Sequence, residues 1–471
     1  MALQLPIVKL NVSVTAAPVP NDLQEKGAFI SQGATTTPAG TLTLFTVESD
    51  LAGILTGSKV LTSLIYSGLT NTVTGTVAGG HGFNVGSQEW VTVAGCTPAG
   101  YNGTFLATID SSTEFTYEML DALGACTVLG TVTDEDVAEL VAMNTTFFAQ
   151  NGSQAVYVLE LGDGSAEEGV TALTDWLTTY PEEIYSFLVP RTWDAEATFK
   201  TLCNLYTAPD KKVNFFVTTT TSTYNDWFLG AYNSAMVCIE APDIPVTEFT
   251  AASIFQRTLS RRPNSGSPIM PVAYAQAFGV TEYPRFGNNT LLTTLRNDYI
   301  NFWINGIEGG IPSGVFLEAG RVSSGESFDF WYAIDWACIT LQLYMANAIL
   351  NGNNNNIAPL YYNQDGVDTL QAVAAAVLRR GITYGLLFGD VKVVQLDSTT
   401  FAQKLNAGEY AGLNVLNAIP VSVYTADNPS DYAQGLYGGF QAKIIPQRGF
   451  ENIIINLNAS QFANSGVTNH G

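Results

Sequence analysis

The sequence predicts an α/β (α+β) core with a mostly buried sheet covered by helices, an inserted small all-β, sandwich-like domain, and extended strand arms at both ends. Three observations carry this expectation. From about residue 133, amphipathic helical segments alternate with short, continuous apolar runs. Strands covered by helices on both faces lose the simple in-and-out alternation of a half-exposed sheet. Residues 58–133 break that rhythm with Gly-, Thr- and Val-rich stretches of period two, and both chain ends carry period-two segments set apart from the rest.

The first arm is PIVKLNVSV. Val8, Leu10, Val12 and Val14 face one way while Lys9, Asn11 and Ser13 face the other, which suits a strand with one buried face. A Pro-, Gly- and Thr-rich stretch, 18–41, separates it from the core. Two readings of the arm stay open: an edge strand of its own domain, or a strand donated to a neighbouring copy. In the second, main-chain hydrogen bonds supply affinity and alternate side-chain pockets supply register.

In the insert, HGFNVGSQEWVTVAGCTPAGYNGTFLATIDSSTEFTYEM alternates apolar and polar residues between Gly-, Asn- and Ser-rich turns. The core rhythm starts at TDEDVAELVAMNTTFFAQNG, where Val137, Leu140, Val141, Phe147 and Phe148 recur near helical spacing. Thr133 is the expected N-cap, with acids in the first turn and Asn151-Gly152 as the stop. AVYVLEL reads as a strand, and Val170, Leu173, Trp176 and Leu177 mark the next helix. IYSFLVP, VNFFVTT and AMVCIEA continue the series, with the helix AEATFKTLCNLY among them. Further on, a helix over 328–350 and the Ala-rich QAVAAAVLRRG are expected to pack against strands including VKVVQL. At the far end AKIIPQRG and NIIINLNA are strand candidates, the latter presenting Ile453, Ile455 and Leu457. The expected organisation is an arm over 1–20, a core over 21–57 and 134–440 that splits into subdomains near 245–290, an insert over 58–133, and terminal strands over 441–471.

A chain of 471 residues exceeds the roughly 250–300 at which single cores stop growing, so more than one unit is expected. With 46% hydrophobic and 13% charged residues it has the material for a large core. Forty-two acidic against nineteen basic residues give a formal charge of −23, and no segment gathers Lys or Arg into a phosphate-tracking stripe. Nucleic acid and membrane are therefore not expected partners. The acid excess keeps free copies apart, and self-association has to compensate it.

Five cysteines without CxxC spacing suggest neither a zinc site nor a disulfide framework. Cys203, Cys238 and Cys338 sit in apolar stretches and read as core residues, whereas pairing of Cys96 with Cys126 stays open. The N-terminus lacks the basic start and cleavage site of a signal peptide. The apolar 328–350 carries Asp329 and Asp335 and reads as a buried helix, not a membrane span.

Only two histidines exist, His81 in a Gly-flanked turn and His470 beside the C-terminus, which leaves histidine-dependent catalysis without a base in a promising position. HExxH, GxSxG and GxxxxGK[ST] patterns are absent, and neither an enzyme nor a cofactor is expected. The acidic turn LGDGSAEEG, 161–169, lacks the ligand spacing of an EF-hand loop and reads as a strand-to-helix connection with helix-initiating acids. The Asn-rich LNGNNNNIAPLYYNQDG has two readings: a solvated loop, or a neighbour-contact loop anchored by Tyr361 and Tyr362.

FFAQNGSQAVYVLEL resembles the helix-NGG-strand signature of contractile tail sheath proteins, with Ser153 in place of the second Gly and Glu160 where Arg is common. TLRNDYINFW, SGESFDFWYAIDWACITLQLYMANAIL, IAPLYYNQDGVDTLQAVAAAVLRRGITYGLL and AKIIPQRGFENIIINL are similar to the sheath branch of certain myophages. The resemblance covers most of 133–460; the insert is similar to small β-modules of phage tail and baseplate proteins. It implies a virion tail subunit, made in the host cytoplasm, that polymerises with itself around an inner tail tube protein. Tail terminator or collar and baseplate proteins would be its partners at the ends. Val8, Leu10, Val12, Val14, Ile453, Ile455 and Leu457 would then form ladders between copies. Alternatives are a tail fibre, baseplate or surface-layer component, or a carbohydrate-active enzyme or binding module.

Overall fold

In the computed structural model, which describes residues 22–450 apart from 84, 87, 120–122, 151, 153, 209–211, 229, 264, 266, 286, 309–310 and 356–358, the apolar runs come together in one six-stranded sheet. Its first members, β1 (Gly27–Ser31) and β2 (Leu42–Phe45), precede the insert. The insert holds β3 (Lys59–Ser67), β4 (Thr72–Val77), β5 (Gln88–Ala94), β6 (Gly103–Ile109), β7 (Glu114–Glu118) and β8 (Thr131–Asp134). Then come α1 (Glu135–Phe148), β9 (Val156–Glu160), α2 (Ala166–Thr179), β10 (Ser186–Leu188), α3 (Ala197–Leu205), β11 (Asn214–Thr219), α4 (Asn225–Phe228), β12 (Ala235–Ile239) and α5 (Thr250–Leu259). The sheet order is β12-β11-β10-β1-β9-β2, parallel except for the edge strand β2.

Every residue of β1, β10, β11 and β12 is buried, and the two faces meet different helices. Phe29, Val158, Leu188, Phe216 and Met236 point into one cluster with Leu140 and Phe147 of α1 and Ile254 and Phe255 of α5. Ala28, Ile30, Phe187, Phe215 and Val237 point into the other with Leu173 and Trp176 of α2 and Phe199 and Leu202 of α3. The strands still alternate; both faces are apolar because both are covered.

The cap of α1 differs from expectation. Asp134, not Thr133, is the N-cap, its carboxylate accepting from Asp136 N–H, while Thr133 remains in β8; the helix closes at Ala149, ahead of Asn151-Gly152. Arg191 ties this layer together: it contacts Glu139 of α1 (3.3 Å), grips both oxygens of Glu240 (2.9 and 2.8 Å), donates to the Glu248 carbonyl (2.9 Å) and lies over the Phe249 ring.

The insert is a closed barrel, order β3-β4-β7-β6-β5-β8, where a sandwich-like module is expected from the sequence. β8 closes it by pairing with β3 (Val60↔Thr131) and with β5 (Val93↔Val132). Alternating short strands suit either architecture, and pairing between distant strands decides. Its interior holds Val73, Val91, Val93, Ala107, Phe115, Tyr117 and Val132. Gly75 lies opposite Phe115, and a Cβ there would sit 2.4 Å from the ring, so glycine makes room for the aromatic plug.

The second half begins with α6 (Asn289–Asn297) and the hairpin β13 (Phe302–Glu308) and β14 (Ile311–Glu318). Two long helices follow, α7 (Phe328–Asn353) and α8 (Gln364–Thr383), then β15 (Asp390–Val394), α9 (Ser398–Asn406), β16 (Leu413–Ala418), α10 (Val421–Asp427), α11 (Pro429–Gln434) and β17 (Phe440–Lys443). The first half of α7 is buried against the large sheet through Phe328, Tyr332, Ala333 and Trp336. Its acids have partners there: Asp329 pairs with Arg261, and Asp335 accepts from the Tyr185 hydroxyl (2.7 Å). Burial pushes the Asp335 carboxyl up to about 7, against the opposing pull of the Tyr185 hydrogen bond and of Lys212. The second half of α7 is less covered, with Ile349 and Leu350 exposed, so the buried helix expected from the sequence is buried along part of its length. It is the one described helix long and apolar enough to cross a membrane, by length and composition.

α8 bridges α7 to a small sheet, β15-β16-β17, in which β15 is parallel and β17 antiparallel to β16. Gly381 permits the helix contact: a Cβ there would stand 2.8 Å from the Trp336 ring. On the sheet side, the buried Gln371 amide of α8 donates to the Val394 carbonyl (2.8 Å) and the Leu416 carbonyl (3.2 Å). All five cysteines are free thiols, Cys203 and Cys238 buried and Cys338 half-buried; Cys96 and Cys126 are unpaired.

Candidate assembly surface

The arm residues Val8, Leu10, Val12, Val14, Ile453, Ile455 and Leu457 lie outside the described residues, so their surroundings are read from where the described chain begins and ends. At the start, the short turn Leu23–Glu25 seats Gln24 against the α7 backbone, its amide donating to the Tyr332 carbonyl (3.0 Å), and Glu25 lies 3.8 Å from Arg262. At the end, the chain leaves β17 and crosses the end of β16. There the buried Asn414 accepts from Ile445 N–H (2.7 Å) and donates to the Phe388 carbonyl (2.8 Å). Phe388 and Gln447 continue the pairing, Arg448 reaches Glu326 (2.8 Å), and a Cβ on Gly449 would lie 2.6 Å from Pro271. The two departures thus flank one segment, 262–271: Glu25 touches its first residue and Gly449 packs on its last.

The small sheet ends in strand edges. Among the described residues, β15 pairs on one side only, with β16, and so does β17. In β15, Val391 and Val394 are half-buried and the other three residues exposed, with Val393 37% exposed, while Asp390 and Lys392 place charge along it. An open edge presents unpaired N–H and C=O groups, which makes it a template for an added strand, and charge on it restrains indiscriminate pairing.

The proposed anchor pair divides. Tyr361 is 66% exposed, whereas Tyr362 is held by its own chain: its hydroxyl donates to the Leu436 carbonyl (2.8 Å) and its ring meets Tyr432 and Tyr437. The LGDGSAEEG turn is a connection with a capping box, Ser165 and Glu168 exchanging side-chain-to-backbone hydrogen bonds. Before it, Glu160 is fully buried. Its carboxylate accepts from the Ser31 and Thr35 hydroxyls (2.7 Å each) and from the N–H groups of Gly33 (2.7 Å), Thr35 (3.2 Å) and Gly162 (2.8 Å). His81 is spent on the barrel: Nδ1 accepts from Phe83 N–H (3.0 Å), which leaves Nε2–H to donate to the Ser111 carbonyl (2.7 Å). His470 lies outside the described residues. Among the described residues no cluster of His, Cys, Asp and Glu could hold a metal ion.

Two surface features have no counterpart in the sequence expectations. The barrel exterior exposes Ile65, Leu69, Trp90 and Leu106, the last two directly opposite each other on β5 and β6. Arg257, Arg261 and Arg262 gather at the end of α5, a grouping whose signal was the spacing RTLSRR on a helix that stops at Leu259.

No protein-family model matches the chain, and no curated protein matches it. Its fold is shared with a chain in the cryo-EM structure of the anti-feeding prophage baseplate, six-fold symmetrised, at 14% identity over 98% of this chain and 100% of that one, with a TM-score of 0.51. The contracted state of that baseplate aligns at 12% identity over 98% and 100%, with a TM-score of 0.49. A sheath tail protein from Desulfitobacterium hafniense aligns at 11% identity over 80% of this chain and 90% of that one, with a TM-score of 0.37. The chain therefore shares its fold with a chain of that baseplate.

Proposed function

We propose that the chain is the structural subunit of a contractile tail sheath, polymerising helically around an inner tail tube and shortening to drive that tube through a host envelope. The observation that carries this reading is a fold shared along 98% of this chain with a subunit of the anti-feeding prophage baseplate. The sheath-like sequence pieces between 133 and 460 support it independently. The open edges of the small sheet supply a means of linkage: residues 1–20 and the residues beyond 450 of one copy complete the sheet of the next, while 441–449 stay on their own chain through β17 and the contacts of Ile445, Gln447 and Arg448. Identical head-to-tail contacts with a non-closing rotation build a tube, and two alternative sets of such contacts store the free energy of contraction. The partners are other copies, the tube protein, and terminator, collar and baseplate proteins at the ends. The protein is made in the bacterial cytoplasm and works in the virion tail, without catalysing a reaction or holding a cofactor.

Negative-stain electron microscopy of the purified full chain tests this. Hollow tubes of variable length with a helical lattice are expected, and removal of residues 1–17 should leave folded, soluble monomers. Closed rings of fixed copy number would sink the sheath reading in favour of a baseplate component, a second reading favoured by the assembly that contains the 0.51 neighbour.

A further inference from the structure

Basic residues are scarce, nineteen in 471, yet three arginines converge on one recess. The recess, of about 220 Å³, is lined by Arg257, Arg261, Arg262, Ser265, Ser267 and Met270 among others, and belongs to the segment between the two chain exits. Arg261 is the deepest: its side chain is 4% exposed, its Nε and Nη2 donate to the Met270 carbonyl (3.3 and 2.9 Å), and Nη2 also meets Asp329. Its Nη1 is buried and has no acceptor among the described residues, and the same is true of Nε of Arg257. Arg257 makes no salt bridge with a described carboxylate; its Nη2 meets the Met270 sulfur (3.6 Å), a weak acceptor. Burial and the adjacent Arg261 charge both pull its guanidinium below its usual range. Among the described residues Asp329 pairs with Arg261 and Glu25 lies 3.8 Å from Arg262, while Arg257 forms no salt bridge with a described carboxylate.

A desolvated guanidinium nitrogen without an acceptor is costly, and the natural complement of two such guanidiniums lining one recess is a planar or tetrahedral oxyanion. We propose that this recess is an oxyanion-binding site, taking a carboxylate or phosphate group that pairs with the Arg257 and Arg261 guanidiniums. Two sources supply that chemistry: an acidic side chain of an adjacent copy, in a chain with forty-two acids, or a free inorganic anion. The site stands on its own geometry, whether or not the chain forms tubes.

The test uses the full chain and inorganic phosphate at constant ionic strength, with chloride as the matched control. Calorimetric titration should show one saturable site whose dissociation constant rises about tenfold in Arg257→Gln. Arg257 is chosen because it leaves the buried Arg261–Asp329 pair intact, and circular dichroism checks folding; if Arg257→Gln does not fold, Arg257→Lys, which keeps the charge and loses the fork, replaces it. Light scattering of self-association distinguishes the sources. If an adjacent copy supplies the carboxylate, phosphate suppresses association, Arg257→Gln abolishes it and Arg257→Lys partly restores it. If the anion is free, association is unchanged and only phosphate binding is lost. Absence of phosphate binding together with unchanged association in Arg257→Gln overturns the proposal, as does phosphate binding that the substitution leaves intact.

Discussion

The two main sheets of this protein solve the same problem in opposite ways. In the six-stranded sheet every residue of β11 is buried, with helices on both faces, and its acids are matched inside the chain by Arg191 or by the hydrogen bonds around Glu160. In the three-stranded sheet no residue of β15 is buried, both described edges pair on one side only, and the departing chain crosses the end of β16 at Asn414. Covered strands commit their backbone and both faces to their own chain. Strands with a free edge keep backbone groups available to another chain. In the proposed sheath the large sheet would be the rigid body and the small one the joint, a division that suits identical parts moving against one another.

That contrast can be broken from the rigid side first. Arg191→Ala would leave the largely covered Glu139 and Glu240 without their cation, and a loss of about 2–4 kcal/mol is expected in urea unfolding. Gly381→Val drives a branched side chain into Trp336 at the α7–α8 contact, and about 1–3 kcal/mol should be lost. Asp335 gives a pH signature. Its folded carboxyl titrates near 7 and its unfolded one near the ordinary carboxylate range, so the folded state binds the extra proton between them. Stability from this group is present below that range and falls as pH rises through it. Between pH 6 and 8 the fall is about 1.4 kcal/mol, and Asp335→Asn should remove that slope. A slope unchanged in the variant would place the titration elsewhere. The smallest effect on stability is expected on the open side: Val393→Asp on β15 should shift unfolding by no more than about 0.5 kcal/mol while stopping assembly. Tubes formed normally by that variant would remove β15 from the joint.

Much of the mixed α/β class was legible because helical periodicity and continuous apolar runs are local signals. The stretch 18–41, read as a separator, contains β1, a central strand of the large sheet, and only packing shows that Phe29 and Ala28 serve separate helical layers. The acids of LGDGSAEEG announced the start of α2 because helix-initiating charge is a local signal, and the structure adds the Ser165–Glu168 capping box within the same turn. The barrel was not legible as a barrel, since its closure depends on Val60 meeting Thr131 across some seventy residues, which leaves no periodic trace. Tyr361 and Tyr362 were indistinguishable as neighbours in sequence; the aromatic cluster formed by Tyr432 and Tyr437 takes one and leaves the other exposed. The arginine recess was invisible because its two orphaned nitrogens exist only once Asp329 and the Met270 carbonyl have claimed the others.

What the sequence determined by itself was therefore everything that a turn of helix or a few alternating residues can encode: where helices begin, which runs are covered, and a charge of −23 with few bases to offset it. Which strands meet, where an edge stays open, and which guanidinium keeps an unused nitrogen were decided by the tertiary structure alone. Each of those depends on groups far apart in the chain competing for the same partner, and such a competition has an outcome only when the whole chain is folded.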